Sequence, residues 1–163
     1  MQRFKRVVGV VCGAVLVVAA AAGCSAVGHD GGGGPSIQAN AAYVQVPTAT
    51  GATTVGYLDI RDNGTADQLV SVSTSVGGHV EFRAPVKPGV TPIVMHTVSS
   101  IPIAADATTQ LIPNSYHLLI SGTGPMHDGK DIYLTLKFAR AGTITIIALV
   151  TNPQNGGSSY FLN

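Results

Sequence analysis

From Tyr43 onward the chain alternates apolar and polar positions in short runs divided by turn residues. Tyr43-Val44-Gln45-Val46 is one such run. Val55 to Arg61 is another, stopped by Asp62-Asn63-Gly64, a hairpin-type turn signal. Leu69 to Ser73 alternates again and ends near Gly77-Gly78. His79 to Arg83 follows and, after Pro85 and Lys87-Pro88-Gly89, a run from Thr91 to Val98. Ile101-Pro102-Ile103, Thr108 to Ile112, Tyr116 to Ser121, Ile132 to Phe138 and Thr143 to Val150 complete the series. β-Branched residues fill these runs, and no stretch sustains a helical period. About nine short strands at this spacing predict an all-β, cupredoxin-like Greek-key β-sandwich in a single domain over residues 42–151.

The ends read differently. Arg3, Lys5 and Arg6 precede an apolar run from Val7 to Ala22, then Ala21-Ala22-Gly23-Cys24. This is the charged, apolar and small-residue layout of a secretory signal peptide over residues 1–23, too short an apolar run for a membrane span. A cysteine directly after the small residues resembles the bacterial lipobox, which implies lipidation at Cys24 and anchoring to the outer face of the cell membrane. Ordinary cleavage with Cys24 incidental is the alternative. Residues 24–41, rich in Gly, Ser, Ala, Asp and Asn and containing Gly31-Gly32-Gly33-Gly34-Pro35, are expected to be a flexible tether. Residues 152–163 are expected to be a flexible tail.

Composition narrows the chemistry. Cys12 leaves with the signal and Cys24 takes the lipid, so the folded part has no disulfide and no thiolate zinc site. Without the three leading cations, six basic residues face eight acidic ones. With no basic patch and no tryptophan, nucleic acid is not an expected partner. No Gly-x-Ser-x-Gly elbow, P-loop or His-Glu-x-x-His occurs, and carboxylates are few and scattered, so an enzyme is not expected. What remains is His29, His79, His96, His117 and His127 with Met95 and Met126. Thioether and imidazole together favour Cu(I) over harder ions.

The chain from Tyr57 to about Val150 resembles the exported copper chaperones of the PCuAC type. The resemblance rests on Tyr57-Leu58-Asp59-Ile60-Arg61-Asp62-Asn63-Gly64, Asp67 to Ser73, Ser100-Ile101-Pro102-Ile103-Ala104 and Leu111-Ile112-Pro113. It continues through Tyr116-His117-Leu118-Leu119, Gly129-Lys130-Asp131, Leu134 to Phe138 and Ala141-Gly142. It implies a cupredoxin-like sandwich that holds Cu(I) through His-x10-Met-x21-His-x-Met and passes it to an acceptor protein. Met95 and His117 match the central pair, with 21 residues between them. Arg83 stands where the first His is expected and Leu119 where the last Met is expected. His79, on the same strand parity as Arg83, and Met126, in the loop after the His117 strand, are candidate replacement donors. His96 is expected on the face opposite Met95. A copper-free member acting as a structural or protein-interaction module at the cell envelope is the alternative.

Overall fold

The computed structural model describes residues 33–155, and the signal segment, Cys24 and the last eight residues lie outside that range. The described residues form one compact unit. Among the described residues the only helical element is a 3-10 turn at Pro153–Asn155. No helix among them is long and apolar enough to cross a membrane.

Ten strands form in chain order: β1 (Ile37–Gln45), β2 (Thr54–Asp62), β3 (Asp67–Thr74), β4 (His79–Pro85), β5 (Met95–Val98), β6 (Ile101–Ile103), β7 (Thr108–Leu111), β8 (His117–Ser121), β9 (Asp131–Phe138) and β10 (Thr143–Thr151). They make one hydrogen-bonded path, β5-β4-β8-β2-β1-β10-β9-β3-β6, with β7 also paired to β2. All pairings are antiparallel except β1 with β10, where Tyr43 aligns with Leu149. The path wraps one core, nearly closing into a barrel. Leu118 and Ile120 of β8, Leu58 and Ile60 of β2, Leu134 and Leu136 of β9 and Val150 of β10 are fully buried there. They are the inward members of the alternating runs, and most polar positions of the strands face outward.

Three boundaries differ from expectation. β1 begins at Ile37, inside the expected tether, because Ile37-Gln38-Ala39-Asn40 pairs in register with Asp62 to Asp59 along the free edge of β2. A bulge between Asn40 and Tyr43, with Ala41 at φ 50°, then resets the register. The run from Thr91 yields a strand only from Met95. Pro92 has no amide to donate, and the Val86 amide closes the hairpin on the Val94 carbonyl at 2.8 Å, leaving residues 87–93 as a loop. At the other end of the chain, β10 runs on to Thr151 and Pro153–Asn155 is ordered as a turn.

β7 and β8 lie in line along one edge of β2. Leu111 pairs with Leu58, and Leu118 with Gly56, while residues 112–116 leave the sheet between them. They behave as one strand interrupted once.

Two buried carboxylates tie the turns together. Asp62 accepts from the amides of Ser36 and Gly64 at 2.9 and 2.8 Å. A Cβ on Gly64 would collide with the Gly34 carbonyl, so the incoming chain passes directly over this turn. Asp67 accepts from the amides of Gln68, Arg140 and Ala141 at 2.7 to 3.0 Å. Its carboxylate thus pins the β9–β10 turn to the start of β3, using charge-assisted bonds.

Candidate functional site

The residues singled out by spacing fall mainly on one face. In β4, Phe82 and Ala84 point into the core, so His79, Glu81 and Arg83 point out. In β8, Leu118 and Ile120 are inward and His117 and Leu119 outward. Register aligns Arg83 with His117 on one side and with Thr97 of β5 on the other, and Met95 aligns with Pro85. Residues paired across strands share a face, so Met95, Thr97, Arg83, His117 and Leu119 all stand on the outer surface of β5-β4-β8. His96 aligns with Ala84 on the opposite face, as expected.

Arg83 occupies the ground between the two candidate donors. β4 separates β5 from β8, so the backbones carrying Met95 and His117 lie about 10 Å apart, two strand spacings. The Arg83 guanidinium donates from Nη1 to Thr97 Oγ1 at 2.7 Å and from Nη2 to the Met95 carbonyl at 3.2 Å. Thr97 Oγ1 in turn donates to Glu81 Oε2 at 3.1 Å, and Glu81 lies 4.0 Å from Arg83 and 3.9 Å from His79. Exposed ion pairs of this kind add little stability. Their consequence is geometric, since two donated bonds fix the cation against the Met95 backbone.

His117 is oriented from the other side. Its Nδ1 lies 3.0 Å from the Ser115 carbonyl, at the point where the chain returns from its excursion into β8. That contact places the proton on Nδ1 and leaves Nε2 as the free ring nitrogen. The ring lies 6.1 Å from Tyr57, which lies 5.1 Å from Tyr43 in a tilted aromatic row. Burial raises the Tyr57 pKa above its ordinary value, with a smaller contribution from Tyr43. Burial likewise raises that of Tyr43, with a smaller contribution from Asp59. The aromatic row was not anticipated from sequence, although the outward parity of Tyr43 and Tyr57 on neighbouring alternating runs is its signal.

The replacement donors do not gather here. Met126 is buried in the hydrophobic core at 6 % exposure, its thioether filling space among apolar side chains rather than turning to this face. His79 shares the face but is exposed and leans on Glu81. His127 is exposed on the β8–β9 loop. Leu119 aligns with Glu81 and with Val55, offering bulk and no lone pair. Among the described residues no three His, Cys, Asp or Glu side chains form a metal-sized cluster.

A guanidinium held between two soft donors disfavours a second cation there: two unit charges 4 Å apart repel by about 4 kcal/mol in a protein-surface environment.

An all-β path of this order, with Thr97 and His117 flanking Arg83 and Met95 beside Pro85, defines a cupredoxin-like fold. Comparison with solved structures agrees. A copper-bound PCuAC domain from PmoF2 superposes with a TM-score of 0.59 at 18 % identity, over 72 % of this chain and 93 % of that one. The apo PCuAC domain from PmoF1 gives 0.61 at 18 %, over 72 % and 94 %. CuI-DR1885 from Deinococcus radiodurans gives 0.54 at 19 %, over 69 % and 78 %. A search of curated proteins returned no match. Residues 37–150 match the family model described as "Putative lipoprotein LpqE-like", and the chain belongs to that LpqE-like family.

Proposed function

We propose that this chain is an exported lipoprotein, anchored through Cys24 to the outer face of the cell membrane. There its copper-chaperone fold works as a copper-free protein-interaction module that catalyses nothing. The observation that carries this reading is Arg83, bonded to Thr97 and to the Met95 carbonyl where a metal ligand would be needed. The outer face of β5-β4-β8 then offers a partner protein a fixed cation and an imidazole with Nε2 free, backed by the buried ring of Tyr57.

A second reading keeps copper. Met95 and His117 share this face, and the family resemblance supplies a delivery role in which Cu(I) passes to an acceptor protein. One experiment separates the two. The chain is titrated with Cu(I) under reducing conditions against a competing chelator, beside a Met95→Leu/His117→Ala variant and an Arg83→His/Leu119→Met variant. The module reading expects the parent to bind no more tightly than the first variant. It expects the second variant to gain roughly a hundredfold, the full repulsion of about 4 kcal/mol being reduced by solvent at a partly exposed site. Parent binding that is lost in Met95→Leu/His117→Ala would overturn the module reading and assign Cu(I) binding to this pair.

A further inference from the structure

Register places every strand end at one of two poles. Ile37 of β1 aligns with Asp62 of β2. β4 runs parallel to β2, each being antiparallel to β8. The entry of the chain into β1 and the β4–β5 loop, Val86 to Val94, therefore lie at the same pole. They are three strands apart in the sheet, about 15 Å. The loop is closed by the Val86–Val94 hydrogen bond and holds out Val86, Val90, Ile93 and Val94 at 52, 48, 40 and 59 % exposure. Four of the seven large apolar side chains most exposed in the described domain are thus gathered on one loop. Val86, Val90 and Val94 line one shallow hollow together with Lys87 and Pro92.

The charge at this pole has one dominant sign. Arg61 at the end of β2, Lys87 on the loop and Arg140 on the β9–β10 turn are exposed. Asp106 is the exposed carboxylate on the described turns here, because Asp62 and Asp67 are buried and spent on backbone amides. An apolar loop carrying Lys87, on a pole whose exposed turn charges are mostly cationic, matches a bilayer with anionic headgroups, where apolar side chains enter the acyl boundary and cations stay at the headgroups. Chain length agrees. Eight residues lie between Cys24 and Gly33, the first described residue, so nine residue steps reach at most about 32 Å.

We propose that the β4–β5 loop is a lipid contact that rests in an anionic membrane surface and seats the domain with its tether pole down. This rests on acylation at Cys24 for the anchor, but the loop's own affinity for lipid does not. With Cys24 acylated, the mature chain has no other cysteine, so a thiol placed on the loop is labelled alone. The mature protein carrying Val90→Cys, or Thr48→Cys on the opposite pole, is labelled with an environment-sensitive fluorophore. It is then reconstituted in vesicles of equal parts phosphatidylglycerol and phosphatidylethanolamine.

The Val90 label is expected to shift to the blue and to be quenched by spin labels on the acyl chains, with the Thr48 label unaffected. Equal behaviour at the two positions would overturn the proposal. So would a blue shift that appears without vesicles and grows with protein concentration, which would assign the loop to a second copy. The mass of the mature N-terminus reports separately whether Cys24 is acylated. If it is not, partition of the secreted protein onto the same vesicles tests the loop alone. Val90→Asp/Val94→Asp is then expected to lower it about tenfold, and an unchanged partition would overturn the proposal. All three variants alter exposed loop positions, and an unchanged thermal melt confirms their fold.

Discussion

Arg83 was readable in the sequence as a departure from a ligand pattern, but not as a residue with partners. Those partners depend on which strands flank β4. Thr97 and the Met95 carbonyl receive its two hydrogen bonds only because β5 folds back onto β4 through a loop of seven residues. Met126 shows the reverse case. Its place after the His117 strand made it a candidate donor, whereas the core had an apolar gap for it. Spacing reports strand parity well and loop direction poorly. The Tyr43–Tyr57 pair carries a prediction of its own. Both phenols are raised above 10 by burial, so the folded state favours their neutral forms. Their contribution is complete below the unfolded value of about 10 and is lost as pH rises through the folded values. An ultraviolet absorbance titration should find these two tyrosines ionising last. Tyr57→Phe should remove one late step and make the alkaline loss of stability shallower.

At the level of elements, the alternating runs were the most legible feature, because a strand with one buried face must alternate. Eight of the ten strands overlap an expected run closely. β5 formed over only its second half because Pro92 and the hairpin closure consume the first. The segment Ile37–Ala41 escaped notice because its Ala and Asn residues are poor strand formers alone. They pair here because β2 offers nine residues of edge and β7 and β8 cover only its other side. The β3–β4 turn supplies a sharp test. Gly77 and Gly78 both have positive φ, at 74° and 90°. A Cβ on Gly77 meets open space, while one on Gly78 would sit 2.5 Å from the Ser121 carbonyl oxygen of β8. Gly77→Ala should therefore cost about 1 kcal/mol from its left-handed backbone alone. Gly78→Ala should cost roughly 3 kcal/mol, as a backbone clash is added to the strain. Urea unfolding of the two variants makes the comparison.

At the scale of the whole molecule, the sequence pointed to a β-sandwich but not to one path with a parallel β1–β10 seam, since pairing partners far apart in the chain leave no local mark. That seam and the antiparallel pairings assign each loop to a pole, and the poles differ in chemistry. Neither the cationic, apolar character of the tether pole nor the outward row from Thr97 through Arg83 and His117 exists in any contiguous stretch of chain.

The in-line pair β7 and β8 has a practical consequence. Each segment takes its register from β2 independently, so the residues between them set no alignment on either side. Asn114, exposed and at φ 65°, marks the crest of that excursion. A foreign epitope of about five residues spliced in after Asn114 would double the excursion at a cost of about 0.6 kcal/mol. The melting curve should be nearly that of the parent chain. The interrupted strand thereby offers a permissive port for a tag or sensor beside the His117 face, on a scaffold whose architecture does not depend on what is inserted.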